Sequence, residues 1–246
     1  MRPLLRCLAR IPGAALALGV LRGGDARTSA LLALSRPEGL FQPHGTTLED
    51  RYPRVFRLAR AELGDGPGLR LLSFGCSTGE EVFTLRRYFP RAHVTGIDIS
   101  RERIATCRAR LAAMGGDDGI AFRVAGSARH EPPDHYDAAF AMAVFRHGAL
   151  GAMPPACGHV LRFERFGREA AALASCLRPG GLLAICHSNF RFADTAASAC
   201  FEAVLQVPQD PRTPIYGPDN RRLDGVRREA VLFRKAGPAT GAPPAP

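Results

Sequence analysis

Lysine is nearly missing from this chain: of its 33 basic residues, Lys235 is the one lysine. The formal net charge is still +10, so the positive charge is almost all arginine. Those arginines run from Arg2 to Arg234, with no Lys/Arg run longer than a pair. A nucleic-acid face normally shows clustering, so the charge reads as arginine-rich composition and a nucleic-acid partner is disfavoured. Cysteine occurs seven times, but no C-x-x-C pair is present, which removes the usual zinc and dithiol spacings. Cys157 and His159 lie close together and have no second pair to complete a metal site. An odd count without a framework suits reduced thiols packed as small hydrophobes in a reducing, cytoplasmic compartment. A membrane-length apolar run is also missing. Ile11 to Leu21 is interrupted by Pro12, Gly13 and Gly19, and a bilayer asks for about 20 residues. Arg2, Arg6 and Arg10 precede that run and no acid occurs before Asp25, a faint likeness to a targeting segment. No small-x-small cleavage site follows, so the stretch reads as a peripheral helix or arm. Internal repeats are absent as well.

What is present is an ordinary globular composition, 46% hydrophobic and 23% charged over 246 residues. Residues 1–45 read as a lead-in, partly helical or flexible, with a helical pattern at Ser29 to Leu34. Thr46-Thr47-Leu48-Glu49 has the form of a capping box for an amphipathic helix through Leu63. From Leu71 onward apolar runs alternate with helical patterns. Strands are predicted at Leu71 to Phe74, His93 to Asp98, Ile120 to Val124, Tyr136 to Met142 and Leu182 to Cys186. Helices are predicted at Glu80 to Tyr88, Arg101 to Met114 and Leu161 to Leu177. Two more strands, Phe201 to Val207 and Glu229 to Arg234, have no helix between them and should pair antiparallel. The fold class is therefore α/β: a doubly wound, mostly parallel seven-stranded sheet, Rossmann-like, ending in an antiparallel hairpin. The main domain covers 46–236, and the Pro/Ala/Gly-rich tail 237–246 reads as disordered.

Gly75-Cys76-Ser77-Thr78-Gly79 admits two readings. It fits the G-x-S-x-G elbow of a hydrolase nucleophile. It also fits a glycine-bearing turn between a first strand and a helix, shaped to hold a cofactor. The elbow belongs after several strands with an oxyanion loop upstream; here the turn follows the first clear strand and no H-G-G-G precedes it. The cradle accounts for more. Glycines let a ligand approach the backbone, the helix start offers unpaired N–H groups, and Asp98 ends the next strand, placed to accept from ribose hydroxyls. Asp98 could instead cap the following helix.

Nicotinamide, flavin and S-adenosylmethionine enzymes share that layout. Leu71 to Gly79 resembles the cofactor loop of class I S-adenosylmethionine-dependent methyltransferases. Gly96-Ile97-Asp98-Ile99-Ser100 resembles their second motif, Tyr136 to Phe140 their fourth strand, and Leu177 to Leu183 the Pro-Gly-Gly turn before their fifth. Glu229 to Lys235 is similar to their seventh strand. The likeness spans about residues 70 to 235. The family usually has an acid where Ser73 stands and a glycine where Ser77 stands. Ser77-Thr78-Gly79-Glu80-Glu81 resembles the chemotaxis-receptor branch, which methylates protein glutamates, and Cys186-His187-Ser188 does too. The Arg-Asn motif of that branch is not matched near Ala141 to His147.

The resemblance implies S-adenosyl-L-methionine as cofactor. It implies contacts at Gly75, Cys76, Ser77 and Gly79 to the methionine part, with the Ser77 hydroxyl itself a contact. Asp98 and Ile99 would meet the ribose and adenine, Ser127 and Ala128 the adenine edge, and Met142 the cleft after the fourth strand. His147 and His187 follow strands four and five, where the acceptor should enter; each could serve as a general base or be structural. The loop Gln209 to Leu223 could be a lid or a solvated connection. The expected activity is methyl transfer to a small-molecule or protein acceptor. Alternatives are a chemotaxis-type protein-glutamate methyltransferase and a non-catalytic S-adenosylmethionine-binding regulator or subunit.

Overall fold

A computed structural model describes residues 14–237. Two helices open it, α1 (Ala14–Arg22) and α2 (Gly24–Ser35), followed by α3 (Pro53–Leu63). Then come β1 (Arg70–Phe74), α4 (Glu80–Tyr88), β2 (His93–Asp98), α5 (Arg101–Ala113), β3 (Ile120–Val124), β4 (Tyr136–Met142), α6 (Phe163–Cys176), β5 (Leu177–Cys186), β6 (Phe201–Pro208) and β7 (Arg228–Lys235). The strands form one sheet in the order β3-β2-β1-β4-β5-β7-β6. The first five run parallel, and β7 pairs antiparallel with both β5 and β6. The expected Rossmann-like sheet with its terminal hairpin is what forms.

Burial follows from the apolar strands. Leu71, Leu72, Ala138, Ala139 and Phe140 have no exposed surface, as a parallel sheet covered on both faces requires. One core lies under α6 and the loops after β4 and β5, centred on Phe145, Phe166 and Phe190; the other lies under α3 to α5, centred on Phe56, Leu85 and Ile104. Together they fix the carboxyl ends of β1, β2 and β4 side by side.

Three expectations shift. The Thr46 to Glu49 capping box does not form. Pro53 starts α3, Tyr52 takes the cap position without a side-chain bond, and residues 46–52 are left to pack elsewhere. Proline suits that first helical position because its missing N–H would be unpaired anyway. The helix placed at Leu161 to Leu177 begins at Phe163 and ends at Cys176. Strand β5 begins at Leu177, with a register shift against β4 that accommodates Pro179-Gly180-Gly181. Residues 1–13, including the basic start of the suspected targeting segment, and the tail beyond Gly237 lie outside the described residues. Among those described, no helix is long and apolar enough to cross a membrane.

Candidate functional site

The turn after β1 passes through left-handed backbone three times, at Gly75 (φ 74), Ser77 (φ 51) and Gly79 (φ 94). Glycine does this without strain; Ser77 carries a cost of about 1–3 kcal/mol there. Hydrogen bonds from β2 hold it. The N–H groups of Gly75 and Cys76 donate to the Ile97 carbonyl at 2.8 and 3.0 Å, and the Ser77 N–H donates to Asp98 Oδ2 at 2.9 Å. Asp98 Oδ1 accepts from the Ser100 N–H at 2.8 Å. The cap of α5 is Ser100, whose hydroxyl accepts from the Arg103 N–H, so Asp98 is not that cap. Burial pushes the Asp98 carboxyl above its ordinary range, and the Ser100 N–H, Arg103 and the Ser77 N–H draw it back. Each of its oxygens retains a lone pair for a further donor.

A solvent-open cleft lies above this turn. Gly75, Cys76, Ser77, Asp98, Ile99 and Met142 all border it. The Cys76 thiol itself is buried beside Cys107. Gly79 does not border the cleft; it shapes the turn and packs on Phe83 and Cys107. Ser127 and Ala128 do not border it either. Ala125 and Gly126, just before them, do. Ser127 is spent capping the one-turn helix Ala128–His130, and the Ala128 N–H donates to Glu169 Oε1 at 2.6 Å.

The roof of the cleft is a strap, residues 39–52, which the sequence pattern did not reveal. The Ser77 hydroxyl donates to the Gly45 carbonyl at 2.8 Å, so it holds the strap where a free cofactor contact was expected. The Gln42 amide donates to the Ala143 carbonyl. Gly39 (φ 93) lies against Gly126; a Cβ on Gly39 would stand 2.5 Å from the Gly126 carbonyl oxygen. Arg103, 4% exposed, is the staple: it donates to the Pro43 carbonyl at 2.7 Å, Ser29 Oγ at 3.0 Å and Asp25 Oδ1 at 2.8 Å. One side chain of α5 thereby ties down α2 and the strap together.

Two acids follow the turn and play different parts. Glu80 is held by Arg110 at 2.6 Å and by the Thr78 hydroxyl at 2.7 Å. Glu81 faces the cleft, bonded to the Ser73 hydroxyl at 2.7 Å. Burial pushes its carboxyl up to about 8, against the pull of Ser73 and Arg51. Glu81 thus brings a carboxyl to the end of β1, where the family's usual acid is replaced by Ser73. The sequence signal was that substitution together with an unassigned glutamate eight residues on.

His187 follows β5 in left-handed backbone (φ 48). Its Nδ1 lies 3.0 Å from the Tyr52 hydroxyl, and its Nε2 lies 3.8 Å from Asp210. Tyr52 borders the cleft beside Arg51. Burial lowers the His187 pKa, Arg51, Arg146 and Arg212 lower it further, and Asp210 raises it. The imidazole is therefore neutral at pH 7. Burial also keeps Tyr52 protonated, so its hydroxyl and Nδ1 share one hydrogen bond whose direction is set by the His187 tautomer. His147 lies elsewhere: its Nδ1 accepts from the Ala149 N–H, and it borders a separate chamber. The two candidate bases do not share a pocket. In the Gln209 to Leu223 loop, Thr213 to Gly217 is buried around Tyr216, whose N–H donates to the Asn189 carbonyl, while Pro211, Arg212, Pro218 and Asp219 are exposed.

Residues 72–183, just short of half the chain, match the family model described as a methyltransferase domain. This chain carries a class I S-adenosylmethionine-dependent methyltransferase domain. Over 137 residues it is 31% identical to a trans-aconitate 2-methyltransferase of Rhodopseudomonas palustris (strain BisB18), covering 56% of this chain and 45% of that protein. A trans-aconitate 2-methyltransferase of Afipia carboxidovorans is 29% identical over 161 residues, covering 65% and 54%. The chain thus spans about half the length of the curated relatives it matches. Among solved structures, the (4+2)-cyclase SpnF superposes with TM-score 0.52 at 18% identity, over 75% of this chain and 81% of that one. That likeness concerns the fold alone. None of these comparisons singles out the chemotaxis-receptor branch that Ser77 to Glu81 resembles.

Proposed function

We propose that the methyltransferase domain moves a methyl group from S-adenosylmethionine to a carboxylate of a small organic acid. One observation carries the cofactor half of this reading: a single cleft is bordered by two carboxyl groups, Asp98 and Glu81. Asp98 keeps lone pairs for a ribose diol. Among the described residues Glu81 has no cationic hydrogen-bond partner, which suits the ammonium of the methionine part. The first turn of α4 offers unpaired N–H groups for that part's carboxylate, and Gly126 leaves a flat wall near Ile99 for an adenine.

The acceptor half rests on the arginines around His187, of which Arg51 borders the cleft. Arg51, Arg146 and Arg212 come close enough to His187 to depress its pKa, and arginine forks recognise carboxylates. The relatives named for trans-aconitate, a polycarboxylate, agree with that chemistry. When bound, S-adenosylmethionine supplies a methyl on a positive sulfur, which an acceptor oxygen displaces. A carboxylate is already ionised at neutral pH, so no general base is needed. Tyr52 and neutral His187 then orient the acceptor, and the strap excludes water.

The test is incubation with methyl-labelled S-adenosylmethionine and a panel of di- and tricarboxylates. Label in alkali-labile methyl esters is expected. Label on hydroxyl or amine acceptors alone would overturn the carboxylate assignment, and cofactor binding with no transfer to any acceptor would favour a regulator.

A further inference from the structure

A second cavity lies on the back of the strap, between the α1–α2 pair and the segment around His147. It encloses about 1930 Å³ of space, part of it open to solvent. Its cationic lining is Arg22, Arg36 and Arg165, with the imidazoles of His44, His147 and His159. Leu16, Ala30 and Val160 contribute apolar wall. Arg165, on α6, stacks its guanidinium over the Phe41 ring at 4.9 Å. Its Nη2 is buried without a hydrogen-bond partner among the described residues. Buried polar groups are almost always paired, so an unpaired guanidinium at a cavity wall marks a missing acceptor. The acids nearby do not supply it. Asp25, also on the lining, is bonded to Arg103. Glu169 accepts from the Ala128 N–H, and Glu38 influences Arg165 through space without a hydrogen bond to it.

We propose that this chamber binds an amphipathic organic anion, its carboxylate or phosphate head on Arg165 and its apolar body along Leu16, Ala30 and Val160. The site is distinct from the cofactor cleft, although Leu40, Phe41 and His44 border both. The mixture of apolar wall and a few convergent polar groups is what small-molecule sites use.

Calorimetric titration of the full chain with submicellar decanoate and decyl phosphate tests this, with inorganic phosphate and decanol as head-only and body-only probes. One-to-one binding of at least one amphipathic anion is expected, with saturating S-adenosylhomocysteine present, and at least tenfold tighter than either control. The preferred head group distinguishes a carboxylate from a phosphate ligand. Arg165→Met should weaken binding at least tenfold. If that variant fails to fold, Ala149→Trp, at the chamber wall, should give the same loss while retaining the charge. Equal affinity for decanol, unchanged affinity in a folded variant, or competition with S-adenosylhomocysteine would overturn the proposal.

Discussion

Glu81 gives a proton-linked handle on cofactor binding. In the ligand-free cleft its carboxyl is pushed up to about 8, so at pH 7 it is about nine-tenths protonated. An ammonium bound beside it needs the ionised form. Ionising it at pH 7 costs about 1.4 kcal/mol, or roughly tenfold in affinity. S-adenosylhomocysteine should therefore bind more tightly as pH rises towards about 8. Binding at pH 7 should release about 0.9 proton, readable by calorimetry in buffers of different ionisation heat. Glu81→Gln should lose the charge-assisted bond, worth about 1.5–3 kcal/mol or roughly 10- to 150-fold at pH 8. It should also lose the proton release. The ligand's own ammonium titrates equally with both proteins, so their difference isolates Glu81. The sign for folding is opposite: a carboxyl raised in the folded state contributes stability present below about 4.3 and lost as pH rises through about 8. Equal pH dependence in wild type and Glu81→Gln would refute the reasoning.

The strap and Tyr52 give three further expectations. Gly39→Ala forces a left-handed alanine against the Gly126 carbonyl; S-adenosylhomocysteine affinity should fall several-fold with little change in the thermal midpoint of the core. Arg103→Met removes the staple but leaves Asp25 half-exposed, so about 1–3 kcal/mol of stability is lost, and amide exchange should quicken over residues 39–50. Unchanged exchange there would contradict the staple. Tyr52→Phe removes the bond to His187; acceptor KM should rise about three- to tenfold, consistent with one net hydrogen bond, while kcat changes little and cofactor affinity is retained.

The sheet was legible because its strands are short apolar runs closed by turn formers. Leu71 to Phe74 and Tyr136 to Met142 are found within a residue of where the pattern puts them. Asp98, Ser77 and Gly75 were placed by the same regularity. The strap was not legible because its bonds join distant residues: Arg103 to Asp25 spans 78 positions and Ser77 to Gly45 spans 32, and no local period encodes such pairs. Ser127 and Ala128 missed the cleft by a short step along the chain, because the loop after β3 turns down into its one-turn helix immediately after Gly126. Glu81 reads in the sequence as a mark of lineage, but its reach back to Ser73 depends on the depth of α4 against the sheet. His147 and His187 look equivalent in sequence, each just beyond a central strand, yet His147 borders the second chamber while His187 bonds Tyr52 at the edge of the cofactor cleft.

The central claim is that Asp98 and the glycine-bearing turn form an S-adenosylmethionine cleft. Titration of S-adenosylhomocysteine into wild type and Asp98→Ala, both verified as folded by cooperative melting, tests it most directly. The account predicts saturable one-to-one heat for wild type and at least a tenfold weaker affinity for Asp98→Ala. No saturable heat with folded wild type, or equal affinity in the two proteins, would contradict it.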